Sequence, residues 1–226
     1  MTPLDRFTRV ALACGVAAPL LYFGAQLAAA PFYPGYDFLT QAASLLGSDL
    51  SDRPEVLNAG AMATGAALGF AAVGFFRALR GAGASLATAA IVALAVASMG
   101  VGSFWAGVFP LPDPRHDAGP IKAGMFVVPA AMLVALWNRA GPGARIYFAA
   151  NVAAFVLLVP VMSGVAGIDT SGFQGLVQRV AALVLFAPVG VGAACLRRRL
   201  TVESGFGYAR ERRAGRHPSA ERTEST

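Results

Sequence analysis

The amino-acid sequence predicts an all-α fold, a polytopic membrane bundle of six transmembrane helices with both termini in the cytoplasm. Three observations carry this. Hydrophobic residues make up 56% of the 226 residues and charged residues only 13%, whereas soluble domains carry about a quarter charged residues. The mean hydropathy is +0.60. The apolar residues fall into six continuous stretches, 9–30, 55–78, 85–108, 121–138, 144–167 and 175–196. Each is near the roughly 20 residues a helix needs to cross a bilayer. Continuous runs, as opposed to alternating ones, exclude β-barrel spans.

The first stretch follows Arg6 and Arg9 and ends at Ala28, Ala29 and Ala30, like a secretory signal with a small-residue cleavage site. Pro31 would obstruct the cut and the run is longer than a signal core, so a retained span is expected. A long outer loop comes next. Phe38, Leu39, Ala42, Leu45 and Leu46 share one helical face, with Asp37 to cap the start and Gly47 to end it. This predicts a short amphipathic helix at the outer leaflet. Asp52 with Glu55 resembles a capping box opening the second span.

That span carries Gly60, Gly65, Gly69 and Gly74, and the third carries Ala89, Ala93 and Ala97. Small residues allow close helix packing in lipid. The second outer loop holds Pro110, Pro112, Pro114 and Pro120. It is therefore stiff and not helical throughout. The fourth span is the shortest. Pro19, Pro129, Pro160 and Pro188 lie within spans one, four, five and six, as membrane helices tolerate. After Arg197, Arg198 and Arg199, the segment 201–226 is polar, arginine-rich and without apolar periodicity, which predicts a disordered basic cytoplasmic tail.

Orientation follows from the basic residues. Arg6, Arg9, Arg77, Arg80, Arg139, Arg145 and Arg197 fall on one side of the six spans. Arg53, Arg115, Lys122 and Arg179 fall on the other, together with Asp37, Asp49, Asp52, Glu55, Asp113, Asp117 and Asp169. The same arginine bias and anionic lipid account for the net charge of +6, so no nucleic-acid partner is expected. Cys14 and Cys195 sit near cytoplasmic helix ends, where a disulfide is not expected. No zinc-type Cys/His spacing occurs. No metal and no cofactor are predicted. The arginine- and alanine-rich composition fits a bacterial inner (cytoplasmic) membrane protein.

Arg179 is the leading candidate site residue. An unbroken apolar run, 180–196, follows it directly, so it falls inside the outer part of the bilayer. A guanidinium there costs several kcal/mol unless it is paired or lines a wet cavity. Asp113 is the first choice of partner, then Asp37 and Asp169, while Gln174 and Gln178 lie one turn apart and can share hydrogen bonds with it. A ligand-free Arg–Asp pair that locks helix six to the outer loops is an equal reading.

Three motifs carry a family resemblance. They are Tyr36 and Asp37 followed by Ser44, Leu45, Leu46 and Gly47; Gly107, Val108, Phe109 and Pro110 followed by Asp113; and Gly175, Leu176, Val177, Gln178 and Arg179. In this order and spacing, over 11–196, the chain resembles the six-span bacterial and archaeal family labelled domain of unknown function 998. The resemblance implies that Ser44, Gly47, Phe109, Pro110, Asp113, Gln178 and Arg179 are family-pattern positions. It also implies a histidine near the start of span four. Here His116 comes before Pro120, and Lys122 stands nearer that place.

The function expected is non-enzymatic. An extracytoplasmic-side polar pocket of Arg179, Gln178, Gln174, Asp113, Asp37, Ser44 and His116 would bind a lipid headgroup or small anion, with membrane lipids as partners. One alternative is an intramembrane lipid hydrolase or transferase using Ser44, Asp113 and His116. Another is a small-solute transporter, for which Gln26, Ser98, Asn151 and Ser163 are the notable polar residues within the spans. No catalytic residue is assigned.

Overall fold

The computed structural model describes the backbone of residues 3–214 and the side chains of 4–202. The described residues form α1 (Pro3–Ala29), α2 (Pro54–Gly81), α3 (Leu86–Val108), α4 (Val128–Leu136), α5 (Pro142–Met162) and α6 (Gln174–Ala214), with 3-10 segments at Ala30–Phe32, Ala43–Gly47 and Gly119–Val127. Six helical segments are long and apolar enough to cross a membrane, namely Leu4–Phe32, Pro54–Gly81, Leu86–Val108, Gly119–Leu136, Pro142–Met162 and Gln174–Val202. The protein is a multi-pass, all-α membrane protein.

The apolar residues are distributed as lipid demands. Leu12, Leu68, Phe75, Val96, Met132, Leu136 and Val189 form a buried core, while Leu20 (71% exposed), Leu94 (70%), Ile146 (72%) and Leu157 (74%) face outward. In water such a surface would aggregate; in a bilayer it is the solvated face. α2 is the central helix, packed along both α1 and α3; α6 lies along α1, and α5 is peripheral, touching α4 and α6. The α2–α3 crossing needs glycine. A Cβ on Gly65 would stand 2.6 Å from Gly100 O, and one on Gly100 would stand 2.9 Å from Gly65 O. The expected second small residue on α2, Gly69, instead faces open space.

Three local expectations are corrected. The outer-loop segment is not one amphipathic helix. Asp37 does start a turn, accepting from Leu39 N (2.9 Å) and Thr40 Oγ1 (2.8 Å), but only Ala43–Gly47 is helical, and as a 3-10 turn. Its carbonyls are drawn elsewhere, as shown below. The Asp52–Glu55 capping box is absent. Arg53 is the N-cap with no side-chain bond, and Pro54 opens α2, while Asp52 N donates to Phe32 O at 2.8 Å.

The fourth span is α-helical only in its second half. Ser98 Oγ donates to Ile121 O and accepts from Gly124 N at 3.0 Å. These bonds divert backbone groups that an α-helix would use, and Pro129 begins the α-helical turn. A 3-10 segment rises about 2.0 Å per residue against 1.5 Å for an α-helix. Nine residues of each bring this short span to about 31 Å, close to the hydrocarbon thickness.

At the end that carries Arg9, Arg80 and Arg139, arginines meet backbone carbonyls. Arg80 reaches Ala84 O (2.7 Å), Arg139 reaches Gly83 O (3.1 Å) and Arg9 reaches Leu200 O (2.7 Å). Cation donors at helix C-terminal ends are favourable. α6 continues to Ala214, so helix takes in the first part of the segment for which disorder is expected; 215–226 lie outside the described residues.

Candidate functional site

Arg179 lies in the second turn of α6 and is half-buried. Its Nη1 donates to Phe38 O (2.7 Å), Gly175 O (2.9 Å) and Gln41 O (3.1 Å), and its Nη2 to Tyr36 Oη. Its guanidinium carbon stands 4.7 Å from the Phe38 ring centre and 5.7 Å from that of Tyr36. Its Nε is buried without a partner. Tyr36 completes the knot by donating to Ala42 O at 3.0 Å. Partial burial raises the Tyr36 phenol above its ordinary value, with the Arg179 hydrogen bond opposing.

The expected carboxylate partner is not there. The ion pairs among the described residues are Arg53–Glu55, Arg115–Asp113 and Lys122–Asp117. Asp113 is gripped by Arg115 through Nε (3.0 Å) and Nη2 (2.7 Å) and accepts from Arg115 N at 2.8 Å. The Arg115 side chain holds the Asp113 carboxyl down at about 2. Asp169 accepts from Ser171 N at 2.9 Å, and Asp37 staples its own turn. Each aspartate has a donor two or three residues away. Such local bonds close small loops, with less entropy loss than a long-range pair. Nη1 and Nη2 of the guanidinium are met by carbonyls and a phenol instead.

The neighbours of Arg179 continue the same docking. Gln178 Oε1 accepts from Ala43 N (2.7 Å), and Leu176 N, an otherwise unpaired amide of the first turn of α6, donates to Leu39 O (2.9 Å). Gln178 thus bonds to the loop and not to Arg179, and Gln174 is exposed. A Cβ on Gly175 would stand 2.6 Å from Phe38 O, so the loop touches the helix backbone itself. The cluster is a clasp that fixes loop 33–53 on α6.

The clasp holds the loop over a cavity of about 330 Å³ among α1, α2, α3, α6 and the 3-10 segments Ala43–Gly47 and Gly119–Val127. Ser44, His116 and Gln178 line it; Arg179, Gln174, Asp113 and Asp37 do not. Sequence reasoning missed four polar lining residues as site members, Gln26, Asn58, Ser103 and Lys122. Gln26, only 2% exposed, carried a signal as a polar residue inside an apolar run. Lys122, the one lysine of the chain, carried another. Asn58 and Ser103 carried none, because helical phase alone does not say which face meets a void. Met99, Leu185 and Phe186 supply part of the apolar wall, with Met162 of α5 at the edge.

Lys122 Nζ stands 2.6 Å from Asp117 Oδ1, and Lys122 holds the Asp117 carboxyl below its ordinary value. His116 Nδ1 stands 2.8 Å from Phe109 O. A hydrolytic relay of Ser44, His116 and Asp113 is not assembled, because Phe109 O takes the His116 hydrogen and Arg115 takes Asp113. No metal-binding group of three or more His, Cys, Asp or Glu occurs among the described residues.

The family model described as "Protein of unknown function (DUF998)" matches residues 16–194. The chain belongs to this family. The matched range runs from within α1 to within α6 and includes every residue that lines the cavity. No curated protein and no solved structure matches the chain.

Proposed function

We propose that this DUF998 protein is a non-enzymatic protein of a bacterial cytoplasmic membrane, with both termini in the cytoplasm, that holds an anionic lipid headgroup or small anion in the cavity beneath loop 33–53. The observation that carries this is a void of about 330 Å³ inside the spanning bundle, mostly apolar in lining but bordered by Lys122, His116, Ser44 and Gln26. An apolar wall with a few convergent polar groups suits an amphiphile. The charge role moves from Arg179 to Lys122. Arg179 does not line the cavity, whereas Lys122 does, and its ammonium with three hydrogens keeps donors beyond its bond to Asp117. The arginine-rich opposite end supports an extracytoplasmic position for the cavity.

The test is native mass spectrometry of the parent, Lys122→Gln and Arg179→Gln, each released from detergent with an equimolar mixture of phosphatidylglycerol and phosphatidylcholine. The parent retains phosphatidylglycerol selectively. Lys122→Gln loses that selectivity by about tenfold, the worth of one charged hydrogen bond. Unchanged selectivity in Lys122→Gln would sink the assignment of the charge.

A further inference from the structure

We infer that the occupant of this cavity is a polyol headgroup, one that donates hydrogen bonds through hydroxyls, and not a bare phosphate or an ammonium; this rests on the cavity being a headgroup site. The hydrogens of the lining residues decide it. His116 Nδ1 faces the Phe109 carbonyl at 2.8 Å. A carbonyl only accepts, so Nδ1 carries the hydrogen, and Nε2 is the acceptor whenever the ring is neutral. Ser103 gives its single hydroxyl hydrogen to Ala61 O at 3.0 Å, which leaves it lone pairs alone.

Gln26 Nε2 reaches Tyr22 O at 3.3 Å. That contact orients the amide and leaves Oε1 closed off from solvent with no partner. A buried acceptor without a donor is costly, and turning the amide into the cavity that Gln26 lines would relieve it. Three side chains with acceptor capacity, from α1, α3 and the loop after α3, therefore line one space.

A phosphate diester has no hydrogen to give them. An ammonium has, but among the described residues no carboxylate lines the cavity and Lys122 does, so a second cation is repelled. Hydroxyls answer both sides of the site. They donate to Gln26, Ser103 and His116 and accept from Lys122 and from the amide nitrogen of Gln178, whose Oε1 is held by Ala43 N.

The experiment compares lipids of equal charge. The full chain is offered phosphatidylglycerol and phosphatidylmethanol with identical acyl chains, and retention is read by native mass spectrometry. The parent is expected to retain phosphatidylglycerol about fivefold more, the worth of one net neutral hydrogen bond. Gln26→Leu brings that ratio toward one at unchanged melting temperature, and Ser103→Ala repeats the result should Gln26→Leu fail to fold. Equal retention of the two lipids by the parent overturns the polyol inference and leaves the headgroup site standing. Retention of neither overturns the site as well. Stronger retention of phosphatidylethanolamine than of phosphatidylglycerol overturns the exclusion of an ammonium. Competition with soluble glycerol 1-phosphate separates the sources. Displacement supports a free polyol phosphate as occupant, and a preference that resists displacement supports the lipid.

Discussion

A guanidinium near the membrane interface can be neutralised by charge or by dipoles, and Arg179 takes the second route. Three carbonyls, a phenol and two aromatic faces surround it. The fork matters at its second arm: Nη1 alone reaches the three carbonyls, and Nη2 reaches Tyr36 Oη, a contact that lysine's single nitrogen loses. Arg179→Lys should lower stability by about 1.5–3 kcal/mol, from the loss of the charged hydrogen bond to Tyr36 Oη. Thermal unfolding in detergent measures this, together with faster amide exchange at Gln41 and Ala43. Asp113 has the opposite chemistry. Its carboxyl titrates at about 2 against an ordinary 3.8. Its contribution is therefore complete above 3.8 and is lost as pH falls toward 2. Trp105 reports on this, since its Nε1 donates to Arg115 O at 2.7 Å. In a Trp137→Phe background, Trp105 emission should stay constant from neutral pH to about pH 4 and change below it. Asp113→Asn should show the low-pH spectrum at neutral pH. A transition centred above pH 4 would argue against the Asp113–Arg115 grip.

Among the elements, loop 33–53 and the start of α6 behave as one unit. The loop offers carbonyls in place of a continuous helix, and α6 offers Leu176 N, Gln178 and Arg179 in return. Gly175 makes the approach possible. Gly175→Ala adds one carbon 2.6 Å from Phe38 O, a backbone atom with little room to retreat. The variant should keep its six spans yet show protease sensitivity in loop 33–53 that the parent lacks. An intact loop in Gly175→Ala would mean that the clasp is looser than its distances. The fourth span follows similar logic, since Ser98 rewrites its hydrogen bonding and so sets where Lys122 stands beside the cavity.

Across the whole molecule, the proposed orientation, with both termini in the cytoplasm, rests on the placement of the basic residues. Single cysteines at Asp52 and Gly83, in a Cys14→Ser and Cys195→Ser background, should differ in labelling of intact cells. A membrane-impermeant maleimide should reach position 52 and not position 83. The reverse pattern would turn the protein over and place the cavity on the cytoplasmic side. The peripheral place of α5 and the exposed Ile146 and Leu157 fit a bundle whose whole perimeter is solvated by lipid.

Hydropathy and length alone determined the class, the number of spans and their approximate limits, because crossing a bilayer constrains every residue of a span at once. Local motifs also marked the outer loop and Arg179 as a centre of interaction. Tertiary structure alone decided what that centre does. An arginine announces its need for partners, but carbonyls are present at every residue and leave no trace in the side-chain sequence, so the clasp could not be told from an ion pair. The cavity was hidden for a related reason. Gln26, Asn58, Ser103, His116 and Lys122 come from separate parts of the chain, and only helix packing brings them to one void.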